Sequence, residues 1–348
     1  MVKAKKYIVQ KQFDGLPKST DLTIVEEELP PVTDGEFLAE AVYLSVDPYM
    51  RAMSDSVPIG ETFLGTQVAE ITQSKNSDYP VGKHTVAPFG WRTHTLSTGG
   101  PFPIGLPKAW IIPDPEGLPL SFYLGVLGMT GNTAYFGFLE ICKPKPGETV
   151  VVSGAAGAVG SIVGQIAKIK GCKVIGIAGS EEKGKWLVND LNFDNFINYK
   201  DPKFKEKLEE LTPKGVDCYF DNVGGQISSE VLHRMNKHGR ISVCGSISTY
   251  NDKEVKGGYA EMGGFGVTLL VLAGVVQSDI VSKQLKMEGF MVYQWWDRWM
   301  EGIEQNKKWI KEGKLKCSET VTKGFENTLK AFVDMLQGGN TGKAIVQI

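Results

Sequence analysis

Two rhythms of apolar and polar positions divide the chain. Up to about residue 125, short apolar runs such as 37–46 and 65–71 are broken by clusters of Gly, Pro and Asp. Runs of this length, bounded by turn residues and without intervening helical periods, predict a β-rich region. It reads as a partly open barrel rather than a parallel α/β unit. From residue 149 the rhythm changes. Thr149-Val150-Val151-Val152 is a β-branched run that predicts a buried strand, and Val159, Ile162, Val163, Ile166 and Ala167 then recur at i, i+3, i+4, i+7 and i+8, one face of a helix. Further strands are predicted at 173–178, 196–197, 216–221, 240–244 and 289–293, with helices at 181–191, capped by Ser180, and at 204–211. Six strands with helices between them match a doubly wound parallel sheet. Beyond the sixth strand, 296–312 reads as a helix, with Trp295, Trp296, Trp299, Ile303 and Trp309 contributing an apolar face. A helix at 325–336 and a strand at 343–348 follow, and this tail can return to the first region.

The turn between the first of these strands and its helix is Ser153-Gly154-Ala155-Ala156-Gly157-Ala158-Val159-Gly160. A helix N-terminus presents free N–H groups and the positive end of its dipole, and glycines let backbone approach a phosphate. Strand, glycine turn and helix in this order therefore predict a dinucleotide pyrophosphate site, although the spacing is Gly-x-x-Gly-x-x-Gly rather than the commoner Gly-x-Gly-x-x-Gly. The second strand decides which dinucleotide. An NAD site places a carboxylate at that strand's end for the ribose 2′-hydroxyl. Here it ends in Ala178-Gly179-Ser180, with Lys183 one turn later and Tyr199 at the end of the third strand. A lysine in a helix's first turn opposes the dipole. A 2′-phosphate would account for it, so NADPH is the expected cofactor; the alternative is a solvated lysine beside Glu181 and Glu182.

Two other stretches carry candidate chemistry. In Asp47-Pro48-Tyr49-Met50-Arg51, the proline ends a strand and leaves Tyr49 and Arg51 at a strand-to-loop edge: either Tyr49 lines a cleft, or Tyr49 is merely packed and Arg51 lies at the surface. In Gly125 to Tyr135, small residues permit close approach to a ligand, and Thr130 is placed to bond a carboxamide. The same stretch also reads as a helix start capped by Asn132 or Thr133.

Composition narrows the classes. A 348-residue chain has room for two domains, and a net charge of −2 carries no nucleic-acid or membrane-surface signature. The five cysteines form no C-x-x-C pair, which argues against a disulfide framework or cysteine-rich zinc lobe and fits a reducing cytosol. The four histidines form no i, i+4 pair. The basic start lacks the apolar segment of a signal peptide, and the longest apolar run, 265–276, is too short to span a bilayer and reads as core.

With these motifs in view, the chain resembles the zinc-independent medium-chain dehydrogenase/reductases over nearly its whole length. It is most similar to their prostaglandin reductase branch, also called leukotriene B4 12-hydroxydehydrogenases or alkenal/one oxidoreductases. The resemblance rests on Asp47-Pro48-Tyr49-Met50-Arg51, Gly65-Thr66-Gln67-Val68, Thr133-Ala134-Tyr135-Phe136-Gly137, the turn through Gly160-Ser161, Phe220-Asp221-Asn222-Val223-Gly224-Gly225, Gly245-Ser246-Ile247-Ser248-Thr249-Tyr250-Asn251 and Gly342-Lys343. It implies a GroES-like catalytic domain, 1–125 with 313–348, around an inserted Rossmann domain, 126–312. It implies NADPH held by Met129, Thr130, Gly157, Ala158, Val159, Gly160, Lys183, Tyr199, Asn222, Cys244, Gly245, Ser246, Ile247, Ser248, Thr249, Tyr250, Phe290, Met291, Val292 and Asn340, with no metal and a homodimer. Tyr250 and Tyr49 are the candidate catalytic residues. The implied reaction is reduction of the carbon–carbon double bond of an enone or alkenal, oxo-prostaglandins included. Quinone reduction, a hydroxy-eicosanoid dehydrogenase activity and a non-catalytic NADPH-binding role are the alternatives. Two departures stand out: Thr130 occupies a position where relatives often have proline, and the long apolar segment 252–277 adjoins the region the family uses for substrate.

Overall fold

The structure is a computed structural model that describes residues 1–102, 108–252 and 276–348. Most of the apolar run 265–276 and of the segment 252–277 therefore lies outside the described residues; Val276 is described and is buried, as expected of core. The chain forms two compact units, Met1–Gly128 with Glu319–Ile348, and Met129–Ser318.

The first unit opens with an antiparallel pair, β1 (Val2–Val9) and β2 (Leu22–Leu29). Then come β3 (Phe37–Ser45), a one-turn helix α1 (Tyr49–Ala52), β4 (Gln67–Ser74), β5 (His84–Ala87), β6 (His94–Ser97) and β7 (Trp110–Ile111). Strands β3, β4, β5 and β7 pair antiparallel in that order, and β6 pairs with β3. Alternation in β3 is interrupted by register shifts between Leu38 and Ala39 and between Ala41 and Tyr43, and irregularities of this kind bend a strand.

In the second unit, α2 (Met129–Phe136) runs into a π-helical turn at Gly137–Cys142 and leads to β8 (Thr149–Val152). The chain then alternates: α3 (Gly160–Ile169), β9 (Lys173–Ala178), α4 (Glu181–Asn189), β10 (Asn195–Asn198), α5 (Phe204–Leu211), β11 (Val216–Asp221), α6 (Gly225–Arg234), β12 (Met235–Val243), α7 (Gln277–Ser282), β13 (Lys286–Gly289) and α8 (Trp299–Lys311). The six strands are parallel in the order β10-β9-β8-β11-β12-β13. This is the doubly wound order, with its crevice where the order reverses, outside the carboxyl ends of β8 and β11. Val151, Ile175, Ile177, Tyr219 and Ile241 fill the core on this sheet. The sixth strand ends at Gly289, short of the expected 289–293. Phe290 leaves the sheet to cover Gly137, where any Cβ would overlap its ring, and Val292–Arg298 coils into 3-10 turns.

The chain then returns to the first unit as β14 (Glu319–Lys323), α9 (Thr328–Leu336) and β15 (Lys343–Gln347). β15 lies between β14 and β3, and the sheet path ends at β14 and β7 without closing among the described residues. Helix α9 presses Ala331, Phe332 and Met335 into a core with Phe13, Phe63 and Trp91, the Trp91 and Phe332 rings meeting edge-on at 5.6 Å. Truncating such a fully buried phenylalanine typically costs about 3–5 kcal/mol, which is what binds the tail to the unit begun by the N-terminal strands. A buried ion pair adds direction. Lys343 Nζ lies 3.0 Å from the Asp47 carboxylate and donates to the carbonyls of Val46 and Ala344 at 2.8 Å each, while Ser45 donates to the same carboxylate.

Candidate active site

The glycine turn after β8 is shaped by its own backbone. Gly154 adopts φ +58°, a left-handed conformation that favours glycine. A Cβ on Gly160 would overlap the Gly154 carbonyl oxygen and stand 2.8 Å from Ala155 Cα, so this glycine lets α3 start directly on the turn. Gly157 differs: among the described residues the only atom a Cβ there would meet is the Gly154 oxygen, at 3.3 Å. Its outer face is open, as a phosphate-bearing ligand requires. No side chain caps α3, and the N–H groups of Ser161, Ile162 and Val163 donate to the Gly157 and Val159 carbonyls, which leaves the positive end of the helix dipole at the turn to attract an anion. Gly157, Ala158 and Val159 are half-buried, at the rim.

Two further loops lock onto this turn. Asp221, at the end of β11, is buried and receives five hydrogen bonds. Ser153 Oγ (2.9 Å), Tyr219 OH (2.8 Å) and the N–H groups of Val223 (3.0 Å) and Gly224 (2.9 Å) reach one carboxylate oxygen, and Ser228 Oγ (2.6 Å) reaches the other. Asn222 completes the link, its N–H donating to Ser153 Oγ and its side-chain amide to the Ser153 carbonyl at 2.7 Å. The loop 244–250 after β12 is tied on in turn: Ile247 N–H donates to Asn222 O, and Ser248 Oγ donates to Val223 O at 2.6 Å. Tyr250 folds back so that its oxygen accepts the Ser246 N–H at 3.2 Å. Its phenol pKa is raised, chiefly by burial, against the opposing Ser246 bond and with help from the neighbouring Cys244 and Asp221. The hydroxyl therefore stays protonated through neutral pH and keeps its hydrogen to donate. Burial likewise pushes the Cys244 thiol up to about 12.

At the tips of β9 and β10, Ser180 caps α4 by accepting the Lys183 N–H. Burial first, then the charge of Lys200, lowers the Lys183 pKa. Tyr199 is exposed, with its ring against Gly179. Elsewhere in the unit, Met129 opens α2 and its sulfur accepts the Tyr293 hydroxyl at 3.4 Å, which joins α2 to the segment of Phe290, Met291 and Val292. Thr130 is buried and its Oγ1 has no hydrogen-bond partner among the described residues. Asn132 and Thr133 lie inside the helix and do not cap it: Asn132 donates to Trp299 O and Thr133 to Met129 O.

In the first unit, Tyr49 opens α1 and packs, half-buried, on the core beside Met50. Arg51 is buried rather than at the surface, because its Nε donates to the Gly15 carbonyl at 3.0 Å and its guanidinium also reaches Ser54. Asn340 folds its amide onto Gly342 O.

The structure thus gathers Gly157 to Gly160, Asn222 and the 244–250 loop around one crevice. It places Lys183 and Tyr199 at adjacent strand tips, and Met129 beside Val292's neighbour Tyr293. Sequence reasoning missed Asp221 and Ser153 as the knot holding these loops, although both stand in motifs it singled out, and it missed Lys200 next to Tyr199. Among the described residues, no group of three or more His, Cys, Asp or Glu side chains is placed to hold a metal ion.

Comparison with known proteins agrees with this geometry. A family model described as the N-terminal domain of oxidoreductase matches residues 5–103, and one described as zinc-binding dehydrogenase matches 158–307. Prostaglandin reductase 1 of Bos taurus is 48% identical over 349 residues, covering all of both chains. The chain belongs to the zinc-independent medium-chain dehydrogenase/reductases, in the prostaglandin reductase branch. The NADPH-dependent curcumin reductase of Escherichia coli is 34% identical over 99% of this chain and 96% of its own. Among solved structures, CurA of Vibrio vulnificus in complex with NADPH superposes with a TM-score of 0.88 at 36% identity, covering 99% of this chain and 98% of that one. The family's architecture, a Rossmann sheet with a GroES-like unit, is the one described above.

Proposed function

We propose that this protein reduces the carbon–carbon double bond of enones and alkenals with NADPH, without zinc, and that oxo-prostaglandins are among its substrates. The carrying observation is the open glycine turn with a basic, carboxylate-free tip on β9, in a chain similar along its full length to a prostaglandin reductase. The residues fit the cofactor. The uncapped start of α3 and the room beside Gly157 suit a pyrophosphate, Lys183 and Tyr199 suit a 2′-phosphate, and the Thr130 hydroxyl, without a partner among the described residues, suits a carboxamide. Curcumin, named for one relative, itself carries a double bond conjugated to a ketone.

NADPH, when bound, supplies the hydride that the enone's β-carbon takes up. Negative charge then develops on the enone oxygen, and without a metal it must be met by preorganised donors. Tyr250 is suited to donate there, since its oxygen is fixed by the Ser246 N–H and its raised pKa keeps the hydrogen in place. Protonation of the α-carbon, by Tyr250 or water, completes the reduction. In this reading Tyr49 is a second catalytic residue and Asn340 a cofactor contact.

We also propose a cytoplasmic homodimer. Among the described residues β13 is a sheet edge with Lys286, Glu288 and Gly289 exposed, followed by exposed Met291, which supports pairing with a second copy. A monomeric mass in solution would overturn this. No helix among the described residues is long and apolar enough to cross a membrane, and all five cysteines are free thiols. The activity itself is tested by following NADPH oxidation with an alkenone, a quinone, an oxo-prostaglandin and no acceptor. Turnover of the quinone alone would make it a quinone reductase. Dehydrogenation of a hydroxy-eicosanoid without enone reduction would favour the dehydrogenase, and NADPH binding with no turnover a non-catalytic role.

A further inference from the structure

Lys200, next to Tyr199, carries a charge that no ion pair within the described residues uses. The acid that follows it and the one that opens α4 are engaged elsewhere. Asp201 pairs with Lys207 at 2.5 Å and accepts the Lys203 N–H at 2.8 Å, and Glu181 accepts the Asn198 amide at 3.3 Å. Lys200 Nζ instead stands 5.9 Å from the centre of the Tyr199 ring, within the range of a cation–π contact. That ring is itself fixed. The Tyr199 N–H donates to Ala178 O at 3.0 Å, joining the tips of β10 and β9, and a Cβ added to Gly179 would meet the ring at 3.0 Å. On the other side of the tip, Ser180 caps α4 and sets Lys183 in its first turn. The Lys200 charge is close enough to depress the Lys183 pKa, so the two ammonium groups repel across one small surface. Like charges held this way are relieved by an anion, and most by a doubly charged one.

We propose that Lys200 is the second cation of the 2′-phosphate site and that, with Lys183 and Tyr199, it sets the preference for the phosphorylated nucleotide. The proposal rests on the reading of this tip as the adenosine end of the NADPH site. It assigns Lys200 a contact that NADH lacks, so its effect falls on one nucleotide only.

The test is direct binding to the full chain by calorimetry, with NADPH, NADH, 2′,5′-ADP and 5′-AMP as probes, for wild type, Lys200→Ala, Lys200→Arg and Lys183→Ala. Lys200→Ala is expected to weaken NADPH and 2′,5′-ADP by about three- to tenfold, as for a solvent-exposed charge facing a dianion, with the loss shrinking as salt is raised. NADH and 5′-AMP should stay within about twofold, and Lys200→Arg should retain NADPH binding, since it keeps the charge. Unchanged NADPH binding in Lys200→Ala overturns the proposal. Equal weakening of NADH overturns it too, because Lys200 would then act by holding the Tyr199 loop. If wild type prefers NADPH and only Lys183→Ala loses that preference, Lys200 alone is refuted. If wild type binds NADPH and NADH equally, the reading of the tip fails with it.

Discussion

Gly157 and Gly160 are three residues apart in one turn, yet alanine at each should fail in a different way. At Gly160 the added Cβ would overlap the Gly154 carbonyl oxygen and crowd Ala155 Cα, both backbone atoms of a tight turn that cannot swing aside. Overpacking of this kind costs about 1–3 kcal/mol, and the better helix propensity of alanine returns up to about 1 kcal/mol. The net is roughly 1–2 kcal/mol, which for a unit of this size lowers the melting temperature by about 2–8 °C. At Gly157 the Cβ would meet, among the described residues, only the Gly154 oxygen, at 3.3 Å, and the backbone is not in the left-handed region. The fold should tolerate it, with a melting temperature within about 2 °C of wild type, because the slight crowding is offset by reduced unfolded-state entropy. That methyl, however, projects where the nucleotide phosphates are expected, and NADPH affinity should fall by about tenfold or more, the loss of roughly one charge-assisted hydrogen bond. Thermal melts without nucleotide, paired with fluorescence titration of NADPH, separate the two. Gly157→Ala with wild-type NADPH affinity would refute the placement of the phosphates on that face. Gly160→Ala with unchanged stability would show that the turn yields where the structure says it cannot.

Other outcomes follow from the same site. Tyr250→Phe keeps the ring and deletes the hydroxyl, so turnover of an enone should fall about a hundredfold with little change in KM; wild-type turnover would leave the donor role to water or the cofactor's ribose. Activity should survive exhaustive chelation, since no metal-holding group of side chains occurs among the described residues, and loss on EDTA treatment restored by zinc would refute this. Stability should decline as pH rises above about 9. Burial raises Cys172 to about 11 and Cys244 to about 12 and lifts Tyr219 and Tyr250 as well, so the folded chain keeps protons that unfolded Cys, near 8.5, and Tyr, near 10, release. The stabilisation is complete below those unfolded values and is lost as pH climbs towards the folded ones. A melting temperature flat from pH 8 to 10.5 would contradict it.

What could be read in advance was whatever local periodicity encodes. The run Thr149–Val152, the apolar face of α3 and the Ser180 cap each declare themselves within a dozen residues, and the order of six strands follows from their alternation with helices. What could not be read depends on partners remote in sequence. Arg51 is buried because the Gly15 carbonyl receives it, 36 positions away. The sixth strand stops at Gly289 because Phe290 has a place over Gly137. Asp221 looks like an ordinary strand-end acid until Ser153, 68 positions earlier, is found bonded to it. The site was legible as a set of motifs, whereas the hydrogen bonds that join them appear only once β8, β11 and β12 lie side by side.

The placement of β15 against β3 has a consequence for how the protein is made. Synthesis delivers β3 early, but its neighbour on one side emerges only after the whole of Met129–Ser318. At ordinary ribosomal speeds those roughly 190 residues take about 10–40 s, during which the second unit can fold on its own and the first cannot be completed. For that interval the nascent chain carries an unpaired strand edge and an aromatic core still lacking Phe332, so the growing polypeptide is most vulnerable to aggregation and most in need of a chaperone while its nucleotide-binding half is being translated.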